Sequence, residues 1–299
     1  MGDDMLRVVN LSKSYDKRRA LYDIQMEVDR NTIHGLIGEN GAGKTTLIKC
    51  ITGIYKPEQG MVTLEGEPVY ENPQVKERIG YVADSNDYFP RYRLGKMVDF
   101  YKKVYPKFQV EQIKEMNKIF CLDMNCRVGE LSKGQKMRLA FMLNMAANTD
   151  FLVMDEPASG LDAMAKNKLF SLLIEEVEKR GLTVLISSHH LGELEKLCDN
   201  ITMIREGRAA GQERVDSLKG KIRKINLVFE DGAEKAFLER PDILSYSKMG
   251  NIYTVIFDGL TGEGYEELKK RFHPVYMEEL PVNLEEMFVY TNGGEGHGK

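Results

Sequence analysis

The sequence predicts an α/β protein, a parallel sheet covered by helices on both faces, followed by a small α+β domain of ferredoxin-like order. Three features of the chain lead there. Phe151-Leu152-Val153-Met154 and Thr183-Val184-Leu185-Ile186 are continuous apolar runs, the pattern of parallel strands buried on both faces. Stretches with helical spacing, Met137 to Ala147 and Ala163 to Lys179, alternate with them, and such alternation builds an α/β core. Near Ser217-Leu218-Lys219-Gly220 the elements become short and their order changes.

Taken in order, Leu6 to Leu11 and Ile24 to Val28 read as strands, with the charged, turn-like Asp16-Lys17-Arg18-Arg19 between them as in a hairpin. Ile33-His34-Gly35-Leu36-Ile37 is a short buried strand running into a glycine-rich loop, and Thr45 to Thr52 follow with helical spacing. Met61 to Leu64 and Ile79 to Ala83 read as further strands, and Leu94 to Phe120 as helical. Downstream come strand Arg223–Phe229, helix Ala233–Leu238, strands Ile243–Ser247 and Ile252–Phe257, helix Glu263–Phe272 and strand Val275–Leu280. That βαββαβ order is the ferredoxin-like arrangement. The expected division is 1–218, 219–291 and a glycine-rich, disordered tail 292–299.

At 299 residues the chain has room for two domains. A formal charge of -4 gives no support for nucleic-acid binding, which needs a basic surface, so no nucleic-acid partner is expected. No apolar run approaches the roughly 18 residues of a membrane-spanning helix. The start, Met1-Gly2-Asp3-Asp4, has neither the basic region nor the apolar core of a signal peptide. Cys50, Cys121, Cys126 and Cys198 read as reduced thiols. The expectation is a cytoplasmic protein.

The stretch Gly38-Glu39-Asn40-Gly41-Ala42-Gly43-Lys44-Thr45 fits G-x-x-x-x-G-K-[ST]. Its glycines let backbone N–H groups point at phosphate oxygens, and the helix that follows adds its positive end. Lys44 brings a full charge to the β- and γ-phosphates, and Thr45 offers a hydroxyl to Mg2+. A strand before the loop and a helix after it suit this reading, whose ligands are ATP and Mg2+. The bland alternative is a glycine turn that binds nothing. Further on, Phe151-Leu152-Val153-Met154-Asp155-Glu156 is an apolar strand ending in two carboxylates. Asp155 is placed to hold Mg2+, and Glu156 is the candidate base for the attacking water. Alone, the pair would read as a solvated strand end.

Between these motifs lies Leu131-Ser132-Lys133-Gly134-Gln135. Here the chain resembles the ATP-binding-cassette (ABC) ATPases, whose signature is L-S-G-G-Q, with Lys133 in place of the first glycine. The resemblance covers roughly residues 5 to 215. It implies a phosphate-loop NTPase cassette with a RecA-like core, an antiparallel β subdomain and an α-helical subdomain. The same five residues also read as a capping box, Ser132-x-x-Gln135, opening a helix. The resemblance further implies a head-to-tail dimer, homodimeric or with a related second cassette subunit. In it Ser132, Gly134 and Gln135 of one copy would cover ATP held by the other copy's Gly38, Asn40, Gly41, Ala42, Gly43, Lys44, Thr45 and Thr46. Tyr15 matches the position of an aromatic ring stacked on adenine. Ser159-Gly160-Leu161-Asp162 matches the D-loop, and as bare sequence is a turn with Asp162 capping a helix. In Ser187-Ser188-His189-His190 the switch histidine is assigned to His189, with His190 as the other candidate. Asp84 stands where the family has the Q-loop glutamine; it is either a Mg2+ ligand or the cap of the turn before Asn86.

The resemblance implies the ATPase subunit of a transporter whose permease is a separate membrane-spanning subunit. The protein would then be peripheral on the cytoplasmic face of the membrane. One cassette excludes the tandem translation-type proteins, and the short gap between phosphate loop and signature excludes the coiled-coil repair ATPases. Glu156 and His189 argue against a non-catalytic module, though a soluble ATPase with a regulatory role is the alternative. Lys133 and the ending Asn283-Leu284-Glu285-Glu286-Met287-Phe288 are similar to exporter-type subunits. A helical segment Tyr88 to Tyr105, rich in aromatic residues, is the expected docking surface for the permease.

Overall fold

Strand β1 (Asp4–Tyr15) turns back into β2 (Arg18–Asp29), with Tyr15 facing Arg18 across the hairpin. The computed structural model describes residues 4–15, 18–86, 88–230, 232–282, 286, 287 and 290. Asp16, Lys17 and the 292–299 tail lie outside these. Register shifts interrupt their pairing between Val8 and Leu11 and between Leu11 and Lys13. A bulge breaks the two-residue period.

Strand β3 (Ile33–Ile37) leads through the glycine loop into α1 (Lys44–Ile51). Next come β4 (Gln59–Leu64), β5 (Glu67–Pro68), α2 (Pro73–Lys76) and β6 (Ile79–Val82). The predicted helical stretch 94–120 is two helices, α3 (Leu94–Val104) and α4 (Val110–Phe120). Pro106 lies in the break, where it cannot continue a helix. The segment expected to be helical from Tyr88 starts its helix only at Leu94; before it, residues 88–93 form turns.

Helix α5 (Lys133–Ala146) is buried along most of its length. Strand β7 (Phe151–Asp155), α6 (Ala163–Arg180), β8 (Thr183–Ser188), α7 (Leu191–Leu194), β9 (Asn200–Arg205) and β10 (Arg208–Arg214) complete this part of the chain. Strands β9 and β10 were not anticipated. Their signals were the alternation Ile201-Thr202-Met203-Ile204 and the turn dipeptide Glu206-Gly207, both of which take positive φ.

An antiparallel sheet runs β2-β1-β4-β5, and a second sheet runs β10-β9-β3-β8-β7-β6. In the second, β9, β3, β8, β7 and β6 are mutually parallel. Their carboxyl ends therefore lie along one edge, where such sheets bind ligands. That edge carries the glycine loop after β3, Asp155 and Glu156 at β7, His189 after β8, and Asp84 after β6. No helix among the described residues is long and apolar enough to cross a membrane.

Packing divides the chain into Met1–Gln212 and Glu213–Lys299, where the sequence placed the division at 218/219. The second unit holds α8 (Val215–Lys221), β11 (Ile222–Val228), α9 (Lys235–Leu238), β12 (Ile243–Met249), β13 (Ile252–Asp258), α10 (Gly262–Phe272) and β14 (Tyr276–Leu280). Its sheet runs β12-β13-β11-β14, antiparallel throughout. This is the ferredoxin-like arrangement. It has its own core, in which Phe237 packs edge-on to Phe257 and Phe272.

Candidate active site

The glycine loop ends at Gly43, whose φ is +113. A Cβ there would lie 2.8 Å from Leu21 Cδ2, so backbone conformation and space both demand glycine. Lys44 follows as the first residue of α1 and is 5% exposed. Its Nζ donates to the carbonyl of Gly38 at 2.6 Å and of Glu39 at 3.3 Å. The same Nζ lies 3.2 Å from Glu156 Oε1, an ion-pair distance without hydrogen-bond alignment. A phosphate bound in the loop would compete with the two carbonyls for this charge.

Asp155 is the last residue of β7 and is 1% exposed. Ser187 stands in register with it on β8. The Ser187 hydroxyl donates to Asp155 Oδ1 at 2.6 Å and accepts from the Glu156 N–H at 3.0 Å. Burial pushes the Asp155 carboxyl above its ordinary pKa; hydrogen bonds from Ser187 and Thr45 oppose this, and the charges of Glu156 and Asp84 add to it. Sequence reasoning did not single out Ser187. Its signal was a serine completing an otherwise apolar strand beside the one that carries the acids.

Glu156 takes φ +49, a left-handed conformation uncommon for a residue with a side chain. His189 Nδ1 lies 2.8 Å from Glu156 Oε2. A carboxylate only accepts, so Nδ1 carries the proton in this contact. It is thus the His189 ring that bonds Glu156. His190 lies beside it, the two rings tilted at 43° with centroids 3.9 Å apart, and its N–H donates to Ser188 Oγ at 2.9 Å. Lys44 and His189, read from two other motifs, converge on the Glu156 carboxylate.

The capping box at the signature is present. Ser132 Oγ accepts from Gln135 N–H at 3.2 Å, and Gln135 Oε1 accepts from Ser132 N–H at 2.9 Å. Gly134 packs so closely on the 159–162 turn that a Cβ would meet Gly160 O at 2.5 Å. None of these contacts reaches the phosphate loop. Lys133 Nζ donates to Asp84 Oδ1 at 2.7 Å and to Ser159 Oγ at 3.0 Å. Asp162 caps α6 by accepting from Ala165 N–H at 2.8 Å, and Arg138 on α5 donates to it. The turn after β6 is closed by the Asn86 side chain, which bonds both the N–H and the carbonyl of Ala83. Tyr15 stands edge-on to Tyr55, and its hydroxyl lies 3.4 Å from Thr46 Oγ1 beside the first turn of α1.

No group of three or more acidic, histidine or cysteine side chains among the described residues is arranged to hold a metal by itself. The donor set nevertheless suits Mg2+ bound together with a nucleotide. Asp155 is a buried carboxylate whose charge is costly without a cation, and the Thr45 hydroxyl steadies it. Mg2+ takes one or two protein oxygens, with phosphate and water completing the shell.

Beside α3, Phe89, Tyr92 and Phe100 form a connected aromatic patch, each of them exposed. Tyr88 turns inward and meets the buried Tyr101, and burial holds its hydroxyl well above the usual tyrosine range.

The chain is similar to known proteins over nearly its whole length. The ABC transporter family profile matches residues 21–159. The ABC transporter ATP-binding protein YtrB of Bacillus subtilis (strain 168) is 31% identical over 291 residues, which span 97% of this chain and 99% of the relative. The Nod factor export ATP-binding protein I of Burkholderia orbicola (strain AU 1054) is 29% identical over 300 residues, 96% of each chain. Among solved structures, cbiO1 from Clostridium perfringens, part of the ABC transporter complex cbiONQ, superposes with a TM-score of 0.61 at 28% identity, over 72% of this chain and 90% of that one. With the phosphate loop, the strand-end acids and the histidine on one sheet edge, the chain belongs to the ABC transporter ATP-binding proteins, the ATPases that power those transporters.

Proposed function

We propose that this ATPase powers export through a separate membrane-spanning permease, hydrolysing ATP at a site shared between two cassettes. The observation that carries the hydrolytic reading is the convergence of Lys44 and His189 on Glu156. Lys44 binds the β- and γ-phosphates. Glu156 orients the attacking water and takes its proton. His189, its Nδ1–H committed to Glu156, contacts the γ-phosphate through Nε2, as a donor when protonated. Tyr15 stacks on adenine, and Gly38, Asn40, Gly41, Ala42, Gly43, Thr45 and Thr46 line the phosphates. Thr45, Asp155 and Asp84 hold Mg2+, which when bound would neutralise charge building on the phosphates.

The shared site rests on Ser132, Gly134 and Gln135, whose contacts serve their own helix and the 159–162 turn rather than the phosphate loop of the same chain. A second cassette supplies its 131–135 signature turn to this loop. The exposed Phe89, Tyr92 and Phe100 are the docking surface for the permease, since a joined aromatic patch suits a protein interface. Export as the direction draws on the likeness to the Nod factor export protein. The test is to recover the tagged chain from detergent-solubilised membranes and identify what comes with it. A multi-spanning membrane protein, lost when Phe89 and Tyr92 are both changed to serine, is the expected result. ATPase activity with no membrane partner would favour the soluble, regulatory alternative.

A further inference from the structure

Asp84 and Lys133 are 49 residues apart in sequence, yet they form an ion pair at 2.7 Å. They are also two positions at which this chain departs from the family pattern, an acid for the Q-loop glutamine and a lysine for a signature glycine. Each departure taken singly is awkward. An acid at 84 adds negative charge to a sheet edge already carrying Asp155 and Glu156 and due to receive a polyphosphate. A lysine at 133 sets a long cationic side chain on a turn where a residue without one would fit. Together they cancel.

The lysine is aimed rather than free. Its stem lies along Gly160, where an added Cβ would be 3.4 Å from both Lys133 Cγ and Cδ. Its ammonium is shared between Asp84 Oδ1 and Ser159 Oγ. One side chain thus joins the end of β6, the start of α5 and the turn after β7. Both partners are about half exposed, at 52% and 48% of their side chains, and an ion pair so placed adds little to folding. Its consequence lies in where it holds the Asp84 carboxylate.

We propose that Lys133 is a positioning residue for the metal–phosphate site of its own subunit, acting through Asp84, whose carboxylate it orients. This rests on the reading of Asp84 as a Mg2+ ligand. The same pair ties the 131–135 turn, assigned to the partner's nucleotide, to an acid beside the subunit's own.

The full-length chain, diluted to monomer, is titrated with a fluorescent non-hydrolysable ATP analogue in EDTA and again in Mg2+. The ratio of the two Kd values is the gain in affinity that Mg2+ confers. Lys133→Met keeps the stem over Gly160 and removes the charge; Asp84→Asn keeps the shape and removes the acid. Each is expected to cut the Mg2+ gain about tenfold, the lower end for groups that orient metal ligands. Lys133→Arg keeps the gain, the melting temperatures stay within a degree or two of wild type, and the double variant loses no more than Asp84→Asn alone. A Lys133→Met variant with the wild-type gain beside an Asp84→Asn variant that has lost it overturns the positioning role. So do losses that simply add. An Asp84→Asn variant with the wild-type gain instead overturns the ligand reading of Asp84, a separate failure.

Discussion

Lys44 Nζ lies 3.2 Å from Glu156 Oε1, so the cation of the phosphate loop and the acid at the end of β7 share one point in space. Replacing Glu156 by Gln keeps the shape and removes the base. Turnover is expected to fall by at least about 10²–10⁴-fold, with ATP binding retained and two cassettes trapped together. Lys44→Ala is expected to weaken ATP binding about ten- to a hundredfold, the value of hydrogen bonds to a charged group. Equilibrium nucleotide binding measured beside phosphate release separates the two outcomes. Turnover by Glu156→Gln at near the wild-type rate would remove Glu156 from the base role.

Ser187 serves two partners with one buried hydroxyl, Asp155 Oδ1 and the Glu156 N–H. The second bond supports a residue held at φ +49. Ser187→Ala is expected to lower kcat by about 10–100-fold. It should leave nucleotide affinity in EDTA unchanged and cost about 1–3 kcal/mol of stability for the unpaired N–H. Wild-type kcat in this variant would make Ser187 a packing residue.

Arg78 joins the β4–β5 turn to the parallel sheet, pairing with Glu65 and with Asp150. Burial pushes both carboxyls up, but Arg78, with Arg30 at Glu65 and Lys107 at Asp150, outweighs it and holds each below its ordinary pKa. Stability from a depressed carboxyl is present above its unfolded pKa of about 4 and is lost as pH falls through the folded value. Arg78→Met is therefore expected to lower Tm at pH 7 by about 2–4 °C, roughly 1 kcal/mol after allowance for solvent screening. The gap should close below about pH 4. A gap equally wide at pH 3.5 and pH 7 in thermal melts would mean that packing by the arginine stem, not charge, is at work.

On the proposal that a second copy supplies the signature turn, the rate of hydrolysis per chain is expected to fall as the protein is diluted below its dimerisation range. ATP binding through Lys44 should not fall. Activity independent of concentration where the chain is monomeric would leave a site complete in one copy.

The sequence by itself determined whatever depends on residue types at close spacing. The phosphate loop was legible because a turn that aims N–H groups at phosphate needs glycine at fixed offsets, such as Gly43 with φ +113. Asp155 and Glu156 were legible because an apolar strand ended on them, Ser132 and Gln135 because a capping box spans three residues, and the last six elements because their order alone names the arrangement. Tertiary structure decided which distant residues touch. The sheet order β3-β8-β7-β6 sets Ser187 against Asp155 and brings Asp84 to the same edge, and no local period encodes that order. It also inserted β9 beside β3. It placed Lys133 on Asp84, and it chose His189 over His190 for the bond to Glu156. Those contacts depend on how crossovers stack strands, a long-range outcome of packing that neighbouring residues do not carry.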